Sequence, residues 1–277
     1  MKYCRFLFED HIHYGVVGTR SGELWIVDLA EAPEEDLAYK VMHARAKSMV
    51  QAIEGFDFEP MPLSAAKLLP AVTPSKIICV GRNYRDHAKE LGNEVPAEPL
   101  LFFKPPSSLL AHGGVVRMPC VSQRVDFEGE LALVIGRRAS KIEPDADWRS
   151  YVRGYTIAND VTARDLQKKD GQWTRAKGFD TFCPVGPLVS DEVDPEAGLT
   201  VETRVNGEIR QHGSTRDFIF SISELLRYIT AAITLEPGDL LLTGTPAGVG
   251  PLTASDRVDV SIDGLGVLSN AFIADAD

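Results

Sequence analysis

Cysteine is scarce in this sequence, and its placement excludes the common covalent and zinc-bound scaffolds. The four cysteines are Cys4, Cys79, Cys120 and Cys183, and no two of them form a Cys-x-x-Cys pair. Neither a zinc knuckle nor a disulfide framework is therefore indicated. No apolar run approaches the length of a membrane span, and charged side chains interrupt the first ten residues, where a signal peptide would need an apolar core. We expect a protein of the reducing cytoplasm.

Positive charge is also in deficit. The 277 residues include 29 Lys and Arg against 40 Asp and Glu, which gives a formal net charge of -11. Such a balance repels nucleic-acid phosphates and anionic membrane surfaces, so we expect neither a nucleic acid nor a membrane as a partner. A small basic pocket for an anionic ligand is compatible with it.

Several motifs of large enzyme classes are missing. The sequence has no Gly-x-Ser-x-Gly elbow, no Walker loop, no Gly-x-Gly-x-x-Gly fingerprint and no His-Glu-x-x-His pair. Serine hydrolysis and nucleotide binding therefore lose most of their support.

Short apolar segments dominate what is present, and they predict a mixed β (α+β) fold with short peripheral helices. Residues 1–72 predict a small N-terminal α+β domain with a helix that begins near Pro33 and carries an apolar stripe from Leu37 to Ile53. Pro70 and Pro74 mark its boundary with a larger domain of residues 73–277. The predicted strands are Lys2–Leu7, His13–Gly18, Glu23–Asp28, Ile77–Val80, Leu100–Phe103, Val115–Met118, Asp126–Ile135, Tyr155–Asn159, Leu188–Ser190, Thr200–Val205, Leu240–Thr243 and Arg257–Ile262.

Two local signals are specific. Asn206-Gly207 predicts a hairpin, because both residues tolerate the positive φ angles of a type I′ turn. Ser221 and Glu224 fit a capping box at the start of an amphipathic helix.

Two acidic residues enter a strongly apolar strand. Glu128 and Glu130 would share one face of that strand with Ala132 and Val134. Two ionised carboxylates that are buried away from water need a compensating cation. A hard divalent cation, which prefers oxygen ligands, is the simplest one. A solvated strand end, with both acids facing water, is the open alternative. Asp160 is a third acid, at the end of another apolar segment, and it could equally cap a helix.

His87 and Glu90 form a second group of interest, since on a helix they would share a face. A carboxylate bonded to one ring nitrogen raises the basicity of the other, as a general base requires. The alternative is an exposed ion pair. Lys177 and the glycine-rich segment 243–250 suggest anion handling, against the alternatives of a surface lysine and a tight loop.

Six segments in one order carry a more specific signal. They are CVGRNYRDHAKE, LFFKP, DFEGELALVIG, GYTIANDVTARDLQ, WTRAKGFDTFCPVGP and LLTGTPAGVG. Together they resemble the fumarylacetoacetate hydrolase family from about Pro74 onward. The resemblance implies a mixed β-sheet roll, a homodimer, and one Mg²⁺ or Mn²⁺ ion held by Glu128, Glu130 and Asp160. It also implies catalytic roles for His87, Glu90 and Lys177. The substrate-binding positions that it implies are Arg82, Lys104, Arg164, Gln167, Gly244 and Thr245.

The implied function is hydrolysis of a C–C bond in a small 2,4-dioxo acid, such as acetylpyruvate or fumarylpyruvate, through an enolate. His87 and Glu90 favour hydrolysis, because an attacking water needs a base. Two alternatives use the same site, namely isomerisation of 2-hydroxyhepta-2,4-diene-1,7-dioate and decarboxylation of oxaloacetate. A more distant one is a protein that binds a metal and a carboxylate without catalysis.

Overall fold

The computed structural model describes residues 1–36, 58–90, 92 and 94–275. The strands, numbered in chain order, are β1 (Lys2–Phe8), β2 (His11–Arg20), β3 (Glu23–Ala30), β4 (Met61–Pro62), β5 (Lys67–Leu69), β6 (Ile77–Gly81), β7 (Leu100–Lys104), β8 (Leu109–Ala111), β9 (Val115–Met118), β10 (Val125–Phe127), β11 (Gly129–Ile135), β12 (Val152–Asn159), β13 (Thr162–Ala163), β14 (Cys183–Ser190), β15 (Thr200–Val205), β16 (Glu208–Ser214), β17 (Leu240–Leu242), β18 (Gly250–Pro251), β19 (Arg257–Ile262) and β20 (Gly266–Ala274). The α-helices described are α1 (Arg85–Glu90), α2 (Arg164–Asp170), α3 (Thr174–Gly178) and α4 (Ile222–Ala232).

These strands form three sheets. The largest has 12 strands in the order β4-β3-β2-β1-β14-β12-β11-β17-β6-β7, with β5 paired to β1 and β8 to β14. A five-stranded sheet runs β16-β15-β19-β20-β9, and a three-stranded sheet runs β13-β10-β18. Most pairs are antiparallel, but β8 and β14, β6 and β17, and β9 and β20 are parallel. The predicted mixed β fold with short helices is confirmed.

The N-terminal strands continue the largest sheet, because β1 pairs with β14 through Tyr3 and Val189. Phe6 of β1 belongs to the same apolar core as Leu131 of β11. The predicted stripe from Leu37 to Ile53 lies outside the described residues, and the division at residue 72 stays a prediction. None of the described helices is both long enough and apolar enough to cross a membrane.

Strand β11 is the buried centre of the largest sheet. Its odd-numbered residues, such as Leu131 and Leu133, pack into one core, and Ala132 and Val134 pack into a second core on the other face. The predicted alternation is therefore confirmed. The predicted strand 126–135 is two strands in the structure, because the backbone N–H of Glu128 donates to the Asn159 side chain at 2.9 Å instead of to a neighbouring strand.

Both specific local signals are confirmed. Asn206 and Gly207 have φ angles of 52° and 86° in the turn between β15 and β16. Ser221 and Glu224 form a complete capping box at the start of α4. Local hydrogen bonding fixes both features, so a single sequence is enough to predict them.

Candidate active site

A cavity of about 550 Å³ opens where several strands of the largest sheet end. Strand β6 leads to Arg82, the break between β10 and β11 holds Glu128, β12 ends just before Asp160, and β17 leads to Thr245. All of the predicted site residues line this cavity except Lys104 and Gly244. Residues that are far apart in the sequence therefore meet at one place in the fold.

Three carboxylates form the floor of the cavity. Glu128, Glu130 and Asp160 are all buried, and an oxygen atom from each lies within 4.8 Å of those from the others. Pairing of β11 with β12 brings them together, since Gly129 lies opposite Asn159 and the backbone N–H of Asp160 donates to Glu128 at 2.8 Å. The solvated strand end is therefore not what the structure shows.

Basic side chains surround this floor. The Lys177 Nζ atom lies 2.8 Å from Glu128 Oε2 and 2.5 Å from Asp160 Oδ2. The Arg164 guanidinium pairs with the other oxygen of Glu128. Lys177 is buried on α3, so it is not the solvated surface lysine that the sequence left open.

The pKa values of Glu128 and Glu130 are shifted in opposite directions by their surroundings. Burial by itself raises the pKa of Glu128, but Lys177 and Arg164 outweigh that effect and hold the pKa well below its usual range. Burial, Asp160 and Glu128 together raise the pKa of Glu130 well above its usual range, against the opposing charge of Lys177 and a backbone N–H bond from Gly244 at 2.7 Å. Among the described residues, Glu130 is therefore the acid of this cluster without an ion-pair partner, whereas Glu128 and Asp160 each have one.

This donor set fits a hard divalent cation. Three carboxylates with convergent oxygens are the ligands that Mg²⁺ and Mn²⁺ prefer, and a divalent charge would stabilise the ionised form of Glu130. Soft thiolate ligands are absent from this floor, because the nearby Cys79 and Cys183 are buried thiols whose pKa values are raised by burial, that of Cys183 to about 12.

His87 and Glu90 enter the cavity from helix α1. His87 is 4% exposed, and its Nδ1 atom lies 3.4 Å from the Glu90 carboxylate. Both Glu90 oxygens accept the backbone N–H of Gly248 at 3.1 Å, so the glycine-rich loop holds this carboxylate in place. Burial lowers the pKa of His87 despite the nearby charges of Glu128 and Glu90. The imidazole is therefore neutral at pH 7 and can accept a proton.

Arg164 organises one side of the floor. It donates from Nη1 to Gln167 at 2.7 Å and from Nε to Asp126 at 2.9 Å. Asp126 also accepts two bonds from Arg124, at 2.8 and 3.1 Å, and it is fully buried. Our sequence reasoning missed Asp126 as a site residue, although it precedes Glu128 with the same two-residue period.

Lys104 and Gly244 lie behind the carboxylates. The Lys104 ammonium donates to Asp160 at 2.6 Å and to the Val161 carbonyl at 3.1 Å, which supports a role in orienting Asp160. Gly244 has a φ of 97°, and a Cβ there would lie 2.8 Å from Asn83 Cβ, so a close approach of two loops requires glycine. Its neighbour Thr245 lines the cavity and donates to the Gly129 carbonyl at 2.8 Å.

An aromatic wall completes the cavity. The Phe102 and Trp173 rings meet edge to face with centroids 5.2 Å apart, and the Lys177 ammonium lies 4.8 Å from the Phe102 centroid. Both residues lie in the segments LFFKP and WTRAKGFDTFCPVGP that carry the family resemblance, but we assigned them no role, because aromatic side chains are far more often core than site.

Comparisons with known proteins identify the family of this chain. The protein-family model described as fumarylacetoacetate (FAA) hydrolase C-terminal matches residues 76–273 of this chain. The oxaloacetate tautomerase YisK of Bacillus subtilis is 48% identical over 223 residues, which are 75% of this chain and 73% of the relative. The mitochondrial oxaloacetate tautomerase FAHD1 of Arabidopsis thaliana is 46% identical over 197 residues, 69% of this chain and 87% of the relative. The crystal structure of 2-hydroxyhepta-2,4-diene-1,7-dioate isomerase from Mycobacterium marinum superposes with a TM-score of 0.83 and 38% identity, covering 100% of both chains.

Proposed function

The chain belongs to the fumarylacetoacetate hydrolase family, and from this premise we propose that it moves a proton between keto and enol forms of a small 2-oxo carboxylic acid. One observation carries the proposal. A neutral, buried histidine lines the same cavity as a cluster of carboxylates suited to a divalent cation. Relatives named tautomerase and isomerase support this proton transfer, which ranks above the C–C hydrolysis that the sequence alone favoured.

The base is His87. Its Nδ1–H donates to Glu90, which leaves the lone pair of Nε2 free to remove a proton from C3 of the keto acid. Because Glu90 is itself held by Gly248, the imidazole keeps one orientation. Delivery of this proton to the 2-oxygen, through solvent, completes the enol, and the same steps in reverse return the keto acid.

The groups at the floor are suited to stabilise the negative charge of an enolate. Glu128, Glu130 and Asp160 would hold Mg²⁺ or Mn²⁺, which when bound supplies Lewis-acid polarisation of the 2-oxo group. Asp160 and Glu128 raise the pKa of Lys177 although burial lowers it, so its ammonium stays charged and donates to a substrate oxygen. These donors are preorganised in a buried site, where they stabilise developing negative charge better than water does.

Hydrolysis is the second candidate, and the His87–Glu90 pair favours it. In a 2,4-dioxo acid, the same Nε2 would take a proton from a water that attacks the distal carbonyl. The departing carbon fragment would again be an enolate of a 2-oxo acid. The two candidates therefore share a site and differ in the substrate.

Nuclear magnetic resonance distinguishes them. Metal-stripped protein is incubated in D₂O with 2-oxobutyrate, and separately with acetylpyruvate, with and without Mg²⁺. Proton transfer predicts loss of the C3 proton signal of 2-oxobutyrate above a control with Mg²⁺ alone, whereas hydrolysis predicts acetate and pyruvate from acetylpyruvate. If neither exchange nor cleavage is observed in the presence of Mg²⁺, both candidates are contradicted. A carboxylate-binding protein without catalysis is then the remaining alternative.

A further inference from the structure

A second cavity lies against helix α1, apart from the active-site cavity that holds the carboxylate floor. Its volume is about 330 Å³. Residues from three parts of the chain line it, among them Tyr84, Arg85, Lys89, Arg216, Pro246 and Ala247. Among the described residues, none lines both cavities. The second cavity is therefore a separate space, which the proposed reaction does not use.

Helix α1 forms one part of the wall between the two cavities. His87 and Glu90 line the active-site cavity, whereas Arg85 and Lys89 line the second cavity. A molecule that binds Arg85 and Lys89 therefore contacts the helix that carries the proposed base.

The glycine-rich segment 243–250 forms another part of this wall. Thr245 and Val249 line the active-site cavity, and Pro246 and Ala247, which lie between them in the sequence, line the second cavity. The backbone N–H of Gly248 donates to both Glu90 oxygens at 3.1 Å and so joins this segment to α1. A change on one side of the wall therefore reaches the other side through a single layer of residues.

Tyr84 brings a buried hydroxyl group without a partner to the second cavity. The residue is 2% exposed, and within the described part of the chain its hydroxyl oxygen has no hydrogen bond. The ring is held by Phe218, which it meets edge to face with centroids 5.1 Å apart. Burial and the charges of Glu130 and Asp217 raise the pKa of Tyr84, so the hydroxyl keeps its proton and can donate it. A buried donor of this kind is unfavourable until an acceptor reaches it.

Positive charge is available beside this hydroxyl group. The Arg85 side chain is exposed, and it has no ion pair or hydrogen bond to any described residue. Lys89 pairs with Asp86 at 3.6 Å, but both side chains are largely exposed, so the pair is weak and easily exchanged for another. Arg216 donates from one nitrogen to the Ala197 carbonyl at 2.5 Å, which fixes the direction of its guanidinium.

These groups favour a phosphate group as the ligand. The formally charged side chains that line the second cavity are three cations and two acids, namely Arg85, Lys89, Arg216, Asp86 and Asp217. A local excess of cations contrasts with the net charge of -11 of the whole chain. The three acceptor oxygens of a phosphate group can meet Arg85, Lys89 and Tyr84 together, whereas a carboxylate has one oxygen fewer.

We propose that the second cavity binds a phosphate group, from inorganic phosphate or from a phosphate monoester of a small molecule, and that this binding strengthens substrate binding in the active-site cavity. The phosphate oxygens accept from the Tyr84 hydroxyl, from Arg85 and from Lys89. They hold α1 against the segment that carries Arg216, and His87 of α1 is thereby kept over the carboxylate floor. The site itself goes beyond the proposed function, and only its effect on activity is measured through that function.

Four probes identify the ligand class. Phenyl phosphate, inorganic phosphate, benzoate and phenol differ in the anion and in the ring, and calorimetry with metal-stripped protein measures the affinity of each. We expect both phosphates to bind, benzoate to bind at least about 10-fold more weakly, and phenol not to bind, as loss of charged hydrogen bonds implies. Tighter binding of phenyl phosphate than of inorganic phosphate identifies a monoester as the ligand, and the reverse order or equal binding identifies free phosphate.

Variants locate the bound phosphate. Tyr84→Phe and Arg85→Gln are each expected to weaken phenyl phosphate binding about 10-fold or more. Lys168→Gln changes an exposed lysine of the active-site cavity, and Arg138→Gln changes an exposed arginine outside both cavities; both are expected to keep the affinity. Without ligand, Tyr84→Phe should not lower the melting temperature, because the hydroxyl has no partner to lose.

The coupling between the cavities has a reciprocal test. With Mg²⁺ present, 2-oxobutyrate should tighten phenyl phosphate binding about 5-fold or more, and phenyl phosphate should tighten 2-oxobutyrate binding by the same factor. Exchange of the C3 proton at subsaturating 2-oxobutyrate should rise accordingly. Arg85→Gln is expected to remove this rise and to leave the rate without phosphate unchanged.

Each contrary result identifies a different error. Failure of phenyl phosphate to bind, its competition with 2-oxobutyrate, or a loss of binding in Lys168→Gln but not in Arg85→Gln overturns the second site. Equal binding of benzoate overturns the assignment to phosphate, and a lowered melting temperature of ligand-free Tyr84→Phe overturns the role of its hydroxyl group. Phosphate binding that leaves the affinity for 2-oxobutyrate unchanged overturns the coupling. Binding that needs Arg85 but is accompanied by no proton exchange supports the second site and contradicts the proposed function instead.

Discussion

Lys104 and Asp160 form a fully enclosed ion pair behind the carboxylate floor, with Nζ 2.6 Å from Oδ1. Asp160 therefore offers its other oxygen to the cavity, where Lys177 contacts it at 2.5 Å. A charged pair that is completely removed from water is costly to form and more costly to break, because the partner that is left behind remains buried and charged.

Replacement of Lys104 tests this arrangement. Lys104→Met is expected to lower the free energy of unfolding by about 3–5 kcal/mol, as breaking a buried pair does. It should also weaken Mn²⁺ binding, because Asp160 loses the contact that orients it. Urea denaturation and Mn²⁺ titration measure the two effects. Lys169→Met removes an exposed lysine that does not line the cavity and serves as the control; a Lys104→Met protein that matched it in both measurements would refute the orienting role.

Glu128 is expected to be indispensable for metal binding. Glu128→Gln removes a charged ligand and should reduce Mn²⁺ affinity by more than the roughly 10- to 100-fold that loss of a residue behind a ligand costs. Calorimetric titration of metal-stripped protein measures the affinity. Glu196→Gln is the matched control, since Glu196 is an exposed acid that pairs with Arg149 on the surface. Full Mg²⁺-dependent turnover by Glu128→Gln would rule out this metal site.

His87 and Glu90 are expected to differ in how much they contribute. His87→Gln should slow C3 proton exchange by about 10²- to 10⁴-fold, the usual contribution of a general base. Glu90→Gln should have a smaller effect, since it keeps the imidazole and weakens only its orientation. Exchange rates from nuclear magnetic resonance report both, with His212→Gln as a surface histidine control. A larger loss from Glu90→Gln than from His87→Gln would point to Glu90 as the base.

The pH dependence follows from the lowered pKa of His87. Its base form is present above that pKa and is lost as the pH falls through it, so activity should be level at pH 7 and decline on the acid side below the ordinary histidine value of 6.5. In Glu90→Gln the decline should move to still lower pH, because Glu90 favours the protonated ring. Profiles of kcat/KM with saturating Mg²⁺ test this, and an acid limb centred above 6.5 would contradict it.

Removal of the metal distinguishes a catalytic role of the ion from a structural role. Lys104, Lys177 and Arg164 already compensate much of the floor charge, so chelation should abolish activity and change the melting temperature little. Adding Mg²⁺ back should restore activity and raise the melting temperature by an amount that grows only with the logarithm of the Mg²⁺ concentration above Kd. Scanning calorimetry measures both states. A collapse of the fold on chelation would instead favour the non-catalytic metal-binding alternative.

Local chemistry explains what could be predicted from the sequence. The two-residue period of a strand places Glu128 and Glu130 on one face, and hydrogen bonds within a few residues define the Asn206 turn and the Ser221 cap. The cluster needs Asp160 as well, and that residue arrives through the pairing of β11 with β12. The sequence pattern singled out Asp160 as a third acid with a helix cap as the alternative, and the family resemblance assigned it to the metal site.

Long-range pairing explains what could not be predicted. The break of the strand at Glu128 depends on the Asn159 side chain, and the position of Lys104 depends on a strand that joins the sheet through β6. Asp126 was missed because its role depends on Arg124 and Arg164 meeting on either side of it. Each of these contacts joins segments whose neighbours a single sequence does not reveal.

The position of β17 within the largest sheet has a consequence for how the protein is made. This strand lies between β11 and β6, so β6 and β7 can join the centre of the sheet only after residues 240–242 have been synthesised. Hairpins such as β11 with β12 can form while the chain is still growing, whereas the parallel pairing of β6 with β17 closes a very long loop and is slow. The carboxylate floor and His87 therefore lie on parts of the sheet that join only once β17 is in place.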